Sequence, residues 1–355
     1  MSSVLTTLRH DAYTIFNAGV LAADAYQAVQ QHLYFNDHVL SLATEQGQRT
    51  GYWQRIHLIA VGKAACRMLQ AAQAIIPASY LVTPSLAVTT TENARALTKT
   101  QVMVAGHPLP NQAGLQAAEQ VQRKVSQAKS GELVLILLSG GGSALLPLPA
   151  KGIVLADKII TTDLLLQSGA NINEVNCVRK HLSQLKGGQL AKLAFPADLH
   201  SCILSDVLGD ELSAIASGPT VPDTSSFSDA VQLLHDKNIW QQLPNSIQKH
   251  LTQGKQGLIA ETPSSDAPYF KQSSHSIVGS NALSLNAVEQ AAKALDYPIE
   301  LYSSALTGEV NQVAAEWVHY IKQKIAHGLS TPLALLAGGE TTVTLTGTGL
   351  GGRNQ

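Results

Sequence analysis

The stretch Leu133-Val-Leu-Ile-Leu-Leu-Ser139-Gly-Gly-Gly-Ser143-Ala144 decides the fold: six apolar residues run without a break into three glycines bracketed by serines. An uninterrupted apolar run of that length fits a parallel strand buried on both faces. Where it ends, Gly140, Gly141 and Gly142 carry no Cβ, so backbone N–H groups can close on an oxyanion, with Ser139 and Ser143 as further donors. A phosphate is the natural oxyanion; a ligand-free strand-to-helix turn is the plainer account of the same residues. Pro147 and Pro149 limit any following helix to a short one, and the stretch does not match the Walker pattern G-x-x-x-x-G-K-[ST].

At 355 residues the chain exceeds the usual size of a single core, which predicts two α/β domains with a cleft between them. Hydrophobic residues make up 45% of the chain, aromatics 5% and charged residues 14%, a balance that favours helices layered on a sheet over a disordered or fibrous chain. Lys plus Arg total 24 and Asp plus Glu 25, so no overall field draws nucleic acid or an acidic membrane. Cys66, Cys177 and Cys202 are odd in number and widely spaced, which argues against a disulfide framework and reads as buried thiols in a reducing compartment. No basic start leads into an apolar core, and no run approaches the ~18 apolar residues of a membrane span. The expectation is a soluble cytoplasmic protein.

Strands alternate with helices along the chain. Helical spacing covers Arg9 to Leu33, Asn111 to Ala128, Ile153 to Leu166, Val175 to Leu193, Ala282 to Leu295 (with Asn281 as N-cap) and Gly308 to Lys324. Short apolar strands are predicted at His57 to Lys63, Leu86 to Thr91, Gln101 to Ala105, Leu199 to Leu204, Ser276 to Gly279, Ile299 to Ser303 and Leu333 to Leu336, with a further strand from Thr341. The polar text from Thr224 to Pro268 is taken as the domain boundary, giving domains over 1–255 and 270–355. Such alternation means mostly parallel sheets.

Ligands of such sheets bind beyond the carboxyl ends of the strands. The residues standing there are Gly62-Lys63, Gly106-His107, Ser139 to Ser143, Ser205-Asp206 with Asp210, and Gly338-Gly339-Glu340. A cation at a helix start opposes the helix dipole by ~0.3–1 kcal/mol, so Lys63 is either bound to an anion or a solvated surface lysine. Asp206 and Asp210 could hold magnesium through water, and Asp210 serves equally as a helix N-cap. On a helix of about 100° per residue, Arg179 and Lys186 fall at about 40° and about 20° from Val175, bordering the apolar stripe, whereas Lys180, at about 140°, points to solvent. The glycines from Gly347 to Gly352 match G-x-G-x-x-G in form only, because no helix has room to follow them. Arg353 beside them has space to clamp a carboxylate or phosphate with two hydrogen bonds.

The ordered set GKAA, GHPLPN, LLSGGGSAL, NEVNCVRKHLSQLKGG, LSDVLGDELSAIASGPTVPD, VGSNALSL, LTGE and LAGGETTVTLTGTGLGGRNQ resembles the class II glycerate 2-kinases with a C-terminal MOFRL domain, from about Ile59 to Gln355. The resemblance implies a larger, Rossmann-like N-terminal domain, a smaller MOFRL domain and an active site in the cleft between the two. It implies ATP and Mg2+ as cofactors, D-glycerate as substrate, and transfer of the γ-phosphoryl group to the 2-hydroxyl. Position by position, it makes Lys63 the active-site lysine, Arg353 the active-site arginine, Ser139 to Ser143 the Gly-rich loop and Ser205 to Asp210 the acidic loop. Relatives continue beyond GGRNQ, so the resemblance also implies an incomplete MOFRL domain. A homodimer is compatible with it.

Combining both readings, the glycine loop would hold ATP phosphates, Asp206 or Asp210 the metal, and Arg179, Lys186 and His107 the substrate. Asp206, Glu340 and His107 stand as alternatives for the general base. The family has also been labelled hydroxypyruvate reductase, which would require a nicotinamide site that the chain does not show. A non-catalytic nucleotide-binding module is the third reading.

Overall fold

The computed structural model describes residues 2–329 and 331–344, which form two compact units. Ala25–Val278 is the larger; residues up to Asp24 and the described residues from Gly279 onward make the other. The larger unit begins with an antiparallel meander of β1 (Leu33–Asn36), β2 (Val39–Thr44) and β3 (Gly47–Gly51). Its first hairpin turns on Asp37 and His38, both at positive φ (47° and 68°), the conformation that matches the twist of a two-residue hairpin. Helical spacing up to Leu33 concealed this change: the helices are Ser2–Ala22 and Ala25–Gln30, and Leu33 already belongs to a strand.

Six strands follow: β4 (Ile56–Val61), β5 (Ser85–Thr89), β6 (Thr100–Val104), β7 (Leu133–Leu138), β8 (Asp198–Leu204) and β9 (Ser273–Gly279). They lie in the order β6-β5-β4-β7-β8-β9, with parallel pairing from β6 through β8. This is an α/β fold of the doubly wound kind, and strand order reverses between β4 and β7. Alternate residues of β7 supply opposite cores. Val134, Ile136 and Leu138 pack in a cluster with Val121, Val125 and Leu190, whereas Leu133, Leu135 and Leu137 pack with Met68, Leu69 and Leu42. Burial on both faces explains why the run is apolar without alternation.

The polar text between Thr224 and Pro268 is helical. Helices Phe227–Asp236 and Asn245–Lys255 bury Phe227, Leu234, Ile247 and Leu251 against Val175 and Val178, forming a third cluster. The long helix expected over Val175 to Leu193 is two helices, Ile172–His181 and Gln189–Ala194. Gly187 (φ 55°) and Gly188 (φ 79°) break it, and a Cβ on Gly188 would meet the Val221 carbonyl oxygen at 2.9 Å and Phe270 Cζ at 2.8 Å. The chain must therefore turn where a helical wheel continues, and Lys186 lies in that turn. Lys180, read as solvent-facing, is buried and paired to Asp223 at 3.1 Å because helix Phe227–Asp236 and its approach cover that side.

In the smaller unit β10 (Ile299–Leu306) pairs in parallel with β11 (Ala334–Gly339), and Ile15, Ala292 and Leu336 form its core. The N-cap of helix Asn281–Ala294 is Ser280, whose Oγ accepts from Leu283 N–H at 3.2 Å; Asn281 instead donates from Nδ2 to the Ser304 carbonyl. Of the strand expected from Thr341, the described residues contain one bridge, Thr342 to Glu309. Val343 and Thr344 pair with no described strand, and the residues from Leu345 on, the glycines from Gly347 and Arg353 among them, lie outside the described residues.

Candidate active site

Strands β4 and β7 end level, with Val61 opposite Leu138, so their following loops meet at the point where strand order reverses. Gly62 (φ 124°) leaves β4 so close to the second loop that a Cβ there would overlap the Ser139 hydroxyl and carbonyl. Lys63 N–H donates to the Gly140 carbonyl at 2.9 Å, and Ala64 N–H donates to Ser139 Oγ at 3.0 Å. The helix Ala65–Ile75 has no side-chain cap of its own, and Ser139 reaches across from β7 to supply the acceptor. Ser139 is accordingly buried and holds two loops in register rather than facing outward.

The rest of the loop is open. Among the described residues, the N–H groups of Gly140, Gly141, Gly142 and Ser143 have no carbonyl or side-chain partner, so four consecutive donors are free for an anion. Around them stand side chains from three other strand ends. The Asp206 carboxylate packs on Gly140 so closely that a Cβ would overlap it. A Cβ on Gly141 would lie 2.9 Å from the His107 ring and 3.6 Å from Lys63 Cε. Lys63, His107, Gly141 and Asp206 thus converge, as strand-end spacing predicts. Burial and the charge of Lys63 lower the His107 pKa, which favours the neutral imidazole; Glu92 and Asp206 oppose that shift.

On the loop's other side, Ser143 Oγ lies 3.0 Å from Ser217 Oγ, which itself donates to Asn176 Oδ1 at 2.8 Å. With the Ser217 hydrogen so engaged, Ser143 is left to donate to Ser217. Lys186 Nζ donates to the Ser143 carbonyl at 2.9 Å, and Lys158 Nζ to the Pro147 carbonyl at 2.9 Å. Burial, together with Lys158 and Arg179, pushes the Lys186 amine well below the ordinary lysine range; burial and Arg179 bring Lys158 down to about 7. The segment after Asp210 returns through Ala216 (φ 50°) and Ser217 (φ 61°), two non-glycine residues in the left-handed region, a conformation that costs of order 1–3 kcal/mol each.

Sequence reasoning passed over Lys158, Asn176 and Ser217. Lys158 lies in the first turn of helix Leu155–Gln167 like any surface lysine, and only the chain at Pro147 brings a carbonyl to it. Asp210, at φ 53°, sits in the turn that follows Gly209 and caps no regular helix; the next helical residues are the single turn Ile215–Ser217. No group of three His, Cys, Asp or Glu that could hold a metal occurs among the described residues. A lone carboxylate beside a loop of free N–H groups nonetheless suits magnesium, which binds through one or two carboxylates plus phosphate oxygens and water. Glu340 follows β11, in the smaller unit, where its N–H donates to the Leu306 carbonyl at 2.9 Å. No described helix is long and apolar enough to cross a membrane.

Residues 11–252 match the family model described as Domain of unknown function (DUF4147). A glycerate 2-kinase of Pyrococcus horikoshii is 38% identical, over 98% of this chain and 77% of its own length. A D-glycerate 2-kinase of Thermotoga maritima is 35% identical, over 85% of this chain and 69% of its own length. The crystal structure of a Thermotoga maritima glycerate kinase superposes with a TM-score of 0.82 at 32% identity, covering 98% of this chain and 78% of that one.

Proposed function

Because the chain belongs to the DUF4147 family and stands among the glycerate kinases, we propose that its loop Gly140–Ser143 receives the phosphates of ATP for transfer to the 2-hydroxyl of D-glycerate. The four free N–H groups carry this reading: consecutive unpartnered donors beside a lysine at a strand-order reversal are a phosphate site in search of its anion. Phosphoryl transfer demands mainly positioning and charge stabilisation, and each residue contributes one of these. Gly62 and Ser139 hold the two loops together. Lys63 neutralises charge on the moving phosphoryl group. Asp206 would hold magnesium, with Asp210 as the second carboxylate of the same loop, and the ion would supply neutralisation of phosphate charge there. His107, favoured neutral beside Lys63, can accept the proton of the attacking hydroxyl. Arg179 and Lys186 face the opposite side of the loop and serve anion binding, and Arg353 is assigned by motif alone. The β10–β11 unit is read as the MOFRL-type part of the protein.

The test is ADP release on mixing ATP, magnesium and D-glycerate, set against NADH consumption with hydroxypyruvate. Turnover in the first assay and none in the second is expected; the reverse overturns the reading. Lys63→Ala is expected to lower glycerate phosphorylation by about 10² to 10³, roughly 3–4 kcal/mol of transition-state stabilisation, with an unchanged melting temperature.

A further inference from the structure

Lys158, Arg179 and Lys186 are drawn together from three segments with no carboxylate among them. Lys186 and Lys158 donate to carbonyls only four residues apart, those of Ser143 and Pro147. Arg179 lies three residues after Asn176, on the same helix face, and Asn176 is tied through Ser217 to Ser143. Among the described residues none of the three cations makes an ion pair, although Lys180 nearby is held by Asp223; Asp157, next to Lys158 in the chain, accepts a hydrogen bond from the Ser246 hydroxyl instead. Lys158 is 6% exposed and Lys186 2%, so water does not solvate them.

Lys124 offers the contrast. It too is a buried lysine without a carboxylate, but its amine donates to two carbonyls, Val82 at 2.9 Å and Pro84 at 2.6 Å, and burial alone lowers its pKa. The three cations near Ser143 have one carbonyl, one carbonyl and none; after burial, Arg179 depresses both lysines and Lys158 depresses Lys186. Gathering like charge out of water is costly unless a counter-charge arrives.

We propose that Lys158, Arg179 and Lys186 form a seat for a phosphate-class dianion, and that filling the seat recharges its lysines by taking up a proton. Arg179, half-buried, is the member of the set that reaches toward solvent and offers the ligand a planar fork of donors. A doubly charged tetrahedral anion meets three cations better than a single carboxylate does. The inference rests on the kinase reading for its biological ligand, either the nucleotide's terminal phosphate or the phosphorylated product, but not for its chemistry. The groups that face the lysines are the two partner cations and the carbonyls of Ser143 and Pro147, so with Lys158 near 7 the three side chains together carry less than three charges at pH 8.

Titration calorimetry with sulfate, which does not itself titrate in this range, counts the protons when repeated at pH 8 in buffers of different ionisation enthalpy. Net proton uptake on binding sulfate is expected, reduced in Lys158→Met, with affinity at least tenfold weaker in Lys158→Met and Arg179→Met and partly restored in Arg179→Lys. Because Arg179 is half-exposed, its variants keep the test decisive should Lys158→Met fail to fold. ATP and 2-phosphoglycerate, titrated against the same variants, identify the source of the dianion. Sulfate binding without proton uptake, affinity indifferent to these substitutions, or D-glycerate binding that depends on them while sulfate does not bind would each overturn the seat. Absence of glycerate turnover by the unsubstituted protein beside proton-linked sulfate binding would instead overturn the kinase reading and leave the seat standing.

Discussion

Ser139 shows how one hydroxyl can belong to the site without touching a ligand. In the sequence it looks like a phosphate donor; in the fold its Oγ accepts from Ala64 N–H and stands in for a helix cap. Ser139→Ala is expected to cost about 1 kcal/mol in urea denaturation, the usual penalty of a lost cap, and to lower activity through misplacement of Lys63. Ser139→Thr keeps the acceptor and should recover much of the stability. His200 makes a different prediction. Its ring is fully buried between Ser274 Oγ at 2.8 Å and Ser276 Oγ at 3.0 Å, and burial brings its pKa down to about 3. The unfolded chain takes up this proton near the ordinary 6.5, the folded chain only near 3, so its contribution is complete above about pH 6.5 and lost as pH falls toward 3. Between pH 6.5 and 4.5 that amounts to about 2 kcal/mol, and His200→Gln should flatten the acid limb of a stability-against-pH curve.

Elements were legible where one periodicity ruled and illegible where the chain changed direction inside it. The β7 run and its glycines declared a doubly buried strand and a loop because no other local structure tolerates that composition. Helix Ile172–His181 was read too long, since a helical wheel carries no information about Gly187 and Gly188 turning left-handed against Val221 and Phe270. A separate omission put Lys180 in solvent: the wheel does not show that helix Phe227–Asp236 and its approach cover that side. The lysine's pairing with Asp223 depends on a segment more than forty residues away, and no spacing rule reaches that far. Asp223 is wholly buried and also accepts from Ser225 N–H and Oγ. Asp223→Asn would strand the Lys180 charge and is expected to cost about 3–5 kcal/mol, read as a fall in the urea midpoint.

The two compact units carry separate cores, which predicts that Ala25–Val278, expressed alone, folds with helix-and-sheet circular dichroism and melts cooperatively. A polypeptide that stays disordered would show that its three clusters depend on the other unit. The parallel α/β architecture, the glycine loop and the positions of Lys63, His107 and Asp206 at strand ends were all present in the order of residues, because burial on both faces and backbone freedom are local demands that leave local marks. Which hydroxyl caps which helix, which cation finds a carboxylate and which three are left without one were decided only by the tertiary structure. Charge and hydrogen bonding act through space, and the partners here come from segments that are distant along the chain.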